Sequence, residues 1–297
     1  MKLAYYPGCS AQGSSLDYEL STQAVLRKLG IRMEPIPDWN CCGSTPAHAV
    51  STELSSALCA RNLDIAARQG ADYVVTPCPS CLSNLRATSA RLADPKMRGA
   101  IDALLDKPCA PTVPESISVL QAIERFCSPE DLAQQAKRSL KGLRLVAYYG
   151  CLMSRPHERM QFEDPENPML IERLLSALGA EMLDFPLKTA CCGAAFGIPE
   201  RPMTAKNSGR ILELAKNMGA DAIVVCCPLC QMNLDLRQKQ AASAMKMRFS
   251  MPVPYYSQLI GLALGLSPEE LGFAKLIVPA KKLIEHVVTG PMTGGTQ

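Results

Sequence analysis

The chain carries one cysteine pattern twice: a lone cysteine, then Cys-Cys-Gly, then Cys-Pro-x-Cys. The first copy is Cys9, Cys41-Cys42-Gly43 and Cys78-Pro79-Ser80-Cys81; the second is Cys151, Cys191-Cys192-Gly193 and Cys227-Pro228-Leu229-Cys230. Ten of the 14 cysteines are accounted for in this way. So many thiols, held in register by two separate stretches of chain, require a fold that brings distant loops together, and they point to metal ligation.

The repeat extends beyond the cysteines. Leu29-Gly30, Met33 and Pro37 recur as Leu178-Gly179, Met182 and Pro186, and Asn84-Leu85 recurs as Asn233-Leu234. Val113-Pro114 likewise returns as Val253-Pro254, which divides the chain into halves at 1–140 and 141–297. Within each half, short apolar runs alternate with amphipathic stretches. Strands are expected at 3–6, 32–36 and 73–76, and again at 143–149, 181–185 and 222–225. Helices are expected at 16–29 and 52–69, and again at 168–178 and 204–218. After 108–114 and 250–254, both proline-rich, one more strand and helix follow. The fold class is therefore α/β: two duplicated halves, each with a small parallel sheet, related by internal pseudo-symmetry. In a parallel sheet the loops leaving the carboxyl ends of the strands gather along one edge. All five patterned cysteines of a half fall on such loops.

Several classes are excluded or disfavoured. The net charge is +3, without a basic run, so nucleic acid is not an expected partner. The apolar stretch at 259–266 is far short of the ~20 residues that cross a bilayer, so no transmembrane segment is expected. The N-terminus has no signal-peptide pattern, and the expected location is cytoplasmic, with docking to a membrane-bound partner left open. In a reducing compartment, thiols in this number mean metal or redox chemistry rather than disulfides. With only 3 histidines, the ligands must be mostly thiolate. The tail from 289 onward reads as disordered or held by a partner.

Five thiols per half exceed the four that a structural zinc or an ordinary cubane takes. Either one is a bystander or the group is unusual; a thioredoxin-like Cys-x-x-Cys pair would leave three per half unexplained. Cys59, Cys109, Cys127 and Cys226 read as small buried hydrophobes. His48 and His157 follow cluster cysteines and are candidate proton donors. Arg155, Arg159 and Lys188 are either attractors of an anionic substrate or solvated surface charge. Asn84 and Asn233 either cap a loop or bond a cluster sulfur.

Over nearly the whole chain, these motifs resemble the paired CCG domains of the B subunit of heterodisulfide reductase. The resemblance implies two noncubane [4Fe-4S] clusters. Cys9, Cys41, Cys42, Cys78 and Cys81 would ligate one, and Cys151, Cys191, Cys192, Cys227 and Cys230 the other. It further implies an oxidoreductase that cleaves or forms a disulfide, on a small molecule or a carrier protein, between the clusters in two one-electron steps. The chain has no ferredoxin run and no dinucleotide loop, so electrons must come from elsewhere. The resemblance supplies a small ferredoxin-like protein and a flavoprotein as partner subunits, for which apolar pieces such as the C-terminal region would suit docking. Two alternatives remain: a CCG-type electron-transfer subunit of a quinone-linked dehydrogenase, and a zinc-thiolate scaffold.

Overall fold

The computed structural model describes residues 1–44 and 46–290. Strands β1 (Leu3–Tyr5), β2 (Glu34–Pro35), β3 (Tyr73–Thr76) and β4 (Glu115–Ser118) form one sheet, in the order β2-β1-β3-β4. Strands β5 (Arg144–Tyr148), β6 (Glu181–Met182) and β7 (Ala222–Val225) form a second, in the order β6-β5-β7. Every pairing is parallel. Strands of this kind are covered on both faces, and β1 and β7 are accordingly apolar and buried along their whole length.

The first strand of each sheet is central, with the second on one side and the third on the other. That arrangement creates a switch point, at which the loops after neighbouring strands part and leave a crevice at their carboxyl ends. The cysteine loops leave β1, β2 and β3 in one half and β5, β6 and β7 in the other.

The expected outer strands are shorter in the structure. At 32–36 and 181–185, only two residues each pair as strand, although Ile36 N and Leu183 N continue the contact by donating to the Tyr5 and Leu145 carbonyls at 3.0 and 2.8 Å. Proline lacks the N–H that a ladder needs, so Pro35 suits an edge. Proline also explains why, among the described residues, the second half has no fourth strand. Ile223 and Val225 donate to the carbonyls of Pro252 and Pro254 at 3.1 and 3.0 Å, but neither proline can donate onward, and the segment closes with a single Val225–Tyr255 bridge. The Arg201–Asn217 helix begins three residues before its expected start at 204, because Pro202 is tolerated in a first turn.

Hydrophobic packing joins the two sheets. One core cluster contains Leu3, Tyr5 and Val25 together with Leu145, Tyr148 and Leu259. The Leu16–Lys28 helix lies against the Tyr256–Ala263 helix, where Tyr18 stacks on Tyr255 with ring centroids 4.0 Å apart and the Ser21 and Ser257 hydroxyls meet at 2.7 Å. The apolar stretch at 259–266 is therefore interior: Leu259, Ile260, Leu262, Ala263 and Leu264 are all fully buried, and it offers no docking surface. Most of the expected C-terminal tail, 291–297, lies outside the described residues.

Candidate metal centres

Each half presents its five patterned thiols on three loops. Cys9 opens a 3-10 turn after β1, Cys41 and Cys42 follow β2, and Cys78 caps the Pro79–Leu92 helix whose first turn carries Cys81. In the second half, Cys151 follows β5, Cys191 and Cys192 follow β6, and Cys227 caps the Pro228–Leu234 helix that carries Cys230. The deep members are in contact: Cys42 Sγ lies 3.3 Å from Cys81 Sγ, and Cys192 Sγ lies 3.6 Å from Cys230 Sγ. Cys9, Cys41 and Cys191 are exposed and Cys151 is half-buried, so each site has a buried floor and an open side.

Two features that hold this geometry escape a reading based on cysteines alone. Gly8 and Gly150 precede the lone cysteines with φ of 74° and 68°. A Cβ at Gly8 would lie 3.0 Å from Cys81 Sγ, and one at Gly150 would lie 2.7 Å from Cys230 Sγ. The loop of the lone cysteine thus passes directly over the knuckle, where only glycine fits. Tyr6 and Tyr148 supply the second feature. Their hydroxyls donate to the carbonyls of Asn40 and Ala190 at 2.8 and 2.5 Å, tying the residue before each Cys-Cys-Gly to the central strand. The signal was present in the sequence as a recurring Tyr-x-Gly-Cys, residues 6–9 and 148–151.

Cys59 also belongs to a site. Its thiol donates to the Cys42 carbonyl at 3.3 Å, and Ser208 does the same for the Cys192 carbonyl at 3.2 Å. Burial pushes the Cys59 thiol upward, which suits a fixed donor. Cys109, Cys127 and Cys226 are buried, with Cys226 Sγ donating to the Tyr149 carbonyl at 3.6 Å.

Crowding divides the thiols into proton holders and proton acceptors. Hydrogen bonds from Cys41, and then from Cys81, hold Cys42 well below the ordinary thiol range, while Cys41 and Cys81 are raised. In the second half the Cys151 thiol brings Cys191 down to about 6, and Cys230 brings Cys192 down to about 7. A metal displaces these shared protons, since it binds thiolate. Among the described residues, no three His, Cys, Asp or Glu side chains close on the position of a single metal ion. The donor set, five thiols with a buried floor and an open side where a zinc takes four, fits a larger iron–sulfur group better than a lone zinc.

The polar candidates separate. Lys188 is buried, with Nζ 2.6 Å from the Glu172 carboxylate, so it is a structural ion pair rather than an anion attractor. Arg155 is bonded to Glu166 and to Thr189 Oγ1. Arg159 is exposed. His48 and His157 are exposed as well, and among the described residues neither imidazole is hydrogen-bonded to a cysteine; the His48 backbone N–H donates to the Gly43 carbonyl at 3.0 Å. Asn84 donates to the Cys42 carbonyl, whereas Asn233 donates to Cys192 Sγ at 3.4 Å.

Tyr255 lies in the seam between the two halves, stacked on Tyr18. This fully buried hydroxyl is raised first by burial and then by Asp17, with Cys227 and Cys78, one from each site, adding to the effect. Its stacking partner Tyr18 donates to the Cys226 carbonyl at 3.3 Å.

The family model for the CCG cysteine-rich domain matches residues 3–86 and again 145–235. The chain belongs to the CCG cysteine-rich domain family. Among curated proteins, this CCG chain is 32% identical to the 8-methylmenaquinol:fumarate reductase membrane anchor subunit of Wolinella succinogenes, over 95% of the chain and 99% of that protein. It is 31% identical to the B subunit of the ferredoxin/F(420)H(2)-dependent CoB-CoM heterodisulfide reductase of Methanosarcina acetivorans, over 91% and 92%. Among solved structures, a hypothetical protein from Helicobacter pylori shares the fold, with a TM-score of 0.75 and 13% identity; the match covers 94% of this chain and 52% of that one. Among the described residues, no helix is long and apolar enough to cross a membrane.

Proposed function

We propose that the chain is the iron–sulfur catalytic subunit of a heterodisulfide reductase-like complex, cleaving or forming a disulfide in two one-electron steps. Cys9, Cys41, Cys42, Cys78 and Cys81 hold one noncubane [4Fe-4S] cluster, and Cys151, Cys191, Cys192, Cys227 and Cys230 hold the other. Bound there, the two clusters supply one electron each and iron positions for sulfur. The observation that carries this reading is the pairing of two five-cysteine sites, each with a buried thiol contact at its floor, Cys42–Cys81 and Cys192–Cys230, in a chain 31% identical to a heterodisulfide reductase B subunit.

The chain's own residues set the frame. Gly8 and Gly150 let the lone-cysteine loops close over the knuckles, and Tyr6 and Tyr148 fix the Cys-Cys-Gly loops. The open side, marked by Cys9, Cys41 and Cys191, admits the substrate. His48 and His157, both exposed, are the proposed proton sources for the departing thiolates. Val50, Phe196 and Ile198 are exposed apolar side chains that follow the Cys-Cys-Gly loops in sequence. Partners in this reading are a ferredoxin-like protein and a flavoprotein of the same complex, in the cytoplasm, with domain boundaries at 1–140 and 141–297.

The Wolinella relative favours a second reading, electron relay in a quinone-linked dehydrogenase. Turnover separates the two. Oxygen-free protein supplied with reduced viologen is expected to oxidise it in the presence of a small mixed disulfide and not with a soluble quinone analogue. Oxidation by the quinone alone would select the relay.

A further inference from the structure

Asn84 and Asn233 stand three residues after Cys81 and Cys230, at one register of two helices that begin alike. Their amides nevertheless have different acceptors. Asn84 Nδ2 donates to the Cys42 carbonyl at 3.0 Å and to Ser55 Oγ at 3.3 Å. Asn233 Nδ2 donates to Cys192 Sγ at 3.4 Å and to the Ala194 carbonyl at 3.0 Å.

The cause lies one helix away. The carbonyl of the second cysteine in each pair also receives a donor from the long helix behind it, the Cys59 thiol in one half and the Ser208 hydroxyl in the other. A thiol is a weak donor, so the Cys42 carbonyl takes the Asn84 amide as well. The Ser208 hydroxyl, a stronger donor, serves the Cys192 carbonyl, and the Asn233 amide bonds the Cys192 sulfur and the Ala194 carbonyl instead.

Backbone donors do not distinguish the sites. The N–H groups of Gly43 and Ser44 bear on Cys41 and Cys42, as those of Gly193 and Ala194 do on Cys191 and Cys192. The side-chain amide is the difference. A hydrogen bond to a ligating sulfur withdraws charge and favours the reduced, more negative state of an iron–sulfur group. Asn233 is fully buried, so water does not weaken the bond. Cys151 is half-buried where Cys9 is exposed, which acts in the opposite direction, but at one ligand on the open side rather than at the floor.

We infer that Asn233 makes the C-terminal site the more easily reduced of the two. A group held by the C-terminal thiols would thus have the higher midpoint potential, and one held by the N-terminal thiols the lower. This rests on the iron–sulfur reading above and adds an order to it.

The test is a potentiometric titration, followed by EPR, of the anaerobically purified full chain as wild type, Asn233→Leu and Asn84→Leu. Iron and sulfide are measured in each, and the signals are assigned to halves with Cys9→Ser and Cys151→Ser. Two midpoint potentials are expected, the higher one responding to Cys151→Ser. Asn233→Leu lowers that potential alone, and Asn84→Leu moves neither. If Asn233→Leu loses iron, Asn233→Ala removes the donor without added bulk or charge and lowers the same potential. An iron-loaded chain whose higher potential belongs to the N-terminal half, or stays fixed in both Asn233 variants, overturns the inference alone. A wild-type chain without iron and sulfide overturns it together with the function it rests on.

Discussion

At Gly150 two demands meet on one residue: a left-handed backbone and the absence of a Cβ 2.7 Å from Cys230 Sγ. Alanine there incurs the left-handed strain of about 1–2 kcal/mol and also pushes the knuckle aside. Gly150→Ala is therefore expected to lose close to half of the bound iron, measured per chain. Gly30→Ala has the same backbone strain but open space around it, and it keeps the iron. Equal iron in both variants would mean that the loop does not seal the site. Cys59 makes a finer point. Its partner in the repeat does the same job with a hydroxyl, so Cys59→Ser retains iron and stability, whereas Cys59→Val removes a buried hydrogen bond at a cost of about 1 kcal/mol. Thermal melting of the two variants checks this, and a loss in Cys59→Ser equal to that in Cys59→Val would show that hydrogen bonding is not its role.

At the scale of elements, the Leu16–Lys28 helix carries an acid into the seam between the halves. Burial lifts the Asp17 carboxyl from 3.8 to about 6, with Asp235 raising it further and the backbone N–H groups of its own turn and Lys275 opposing. The folded chain holds this proton more tightly than the unfolded chain does. Folding is thus unpenalised below about pH 4 and loses stability as pH rises to about 6. Asp17→Asn removes that slope: denaturant unfolding is expected to match wild type near pH 4 and exceed it at pH 7 by up to about 3 kcal/mol. A variant less stable than wild type at pH 7 would show that the carboxylate is charged and useful in the native state. The same helix shows what a sequence can and cannot disclose. Its span, and that of β3 and β7, follow from apolar periodicity, and the cysteine loops follow from strand order. The loss of a fourth strand after β7 depends on which carbonyls Pro252 and Pro254 face, and periodicity carries no such information. Asn84 and Asn233 are identical in the repeat, yet Asn233 alone adds a sulfur to its acceptors, and the Cys59–Ser208 exchange behind them is not visible from the asparagines themselves. Lys188 likewise reads as a surface cation until Glu172 is found 2.6 Å away in the interior.

For the whole molecule, the largest core cluster joins two sheets whose first three strands run in the same order, and the Tyr18–Tyr255 stack lies in the seam between them. The most direct test combines iron and acid-labile sulfide analysis of the anaerobically isolated chain with low-temperature EPR after oxidation, with and without a small thiol. The account predicts about eight irons per chain, two four-iron clusters, and a signal that appears only when thiol is present. Zinc in place of iron, or a full iron load that responds to no thiol, would contradict it.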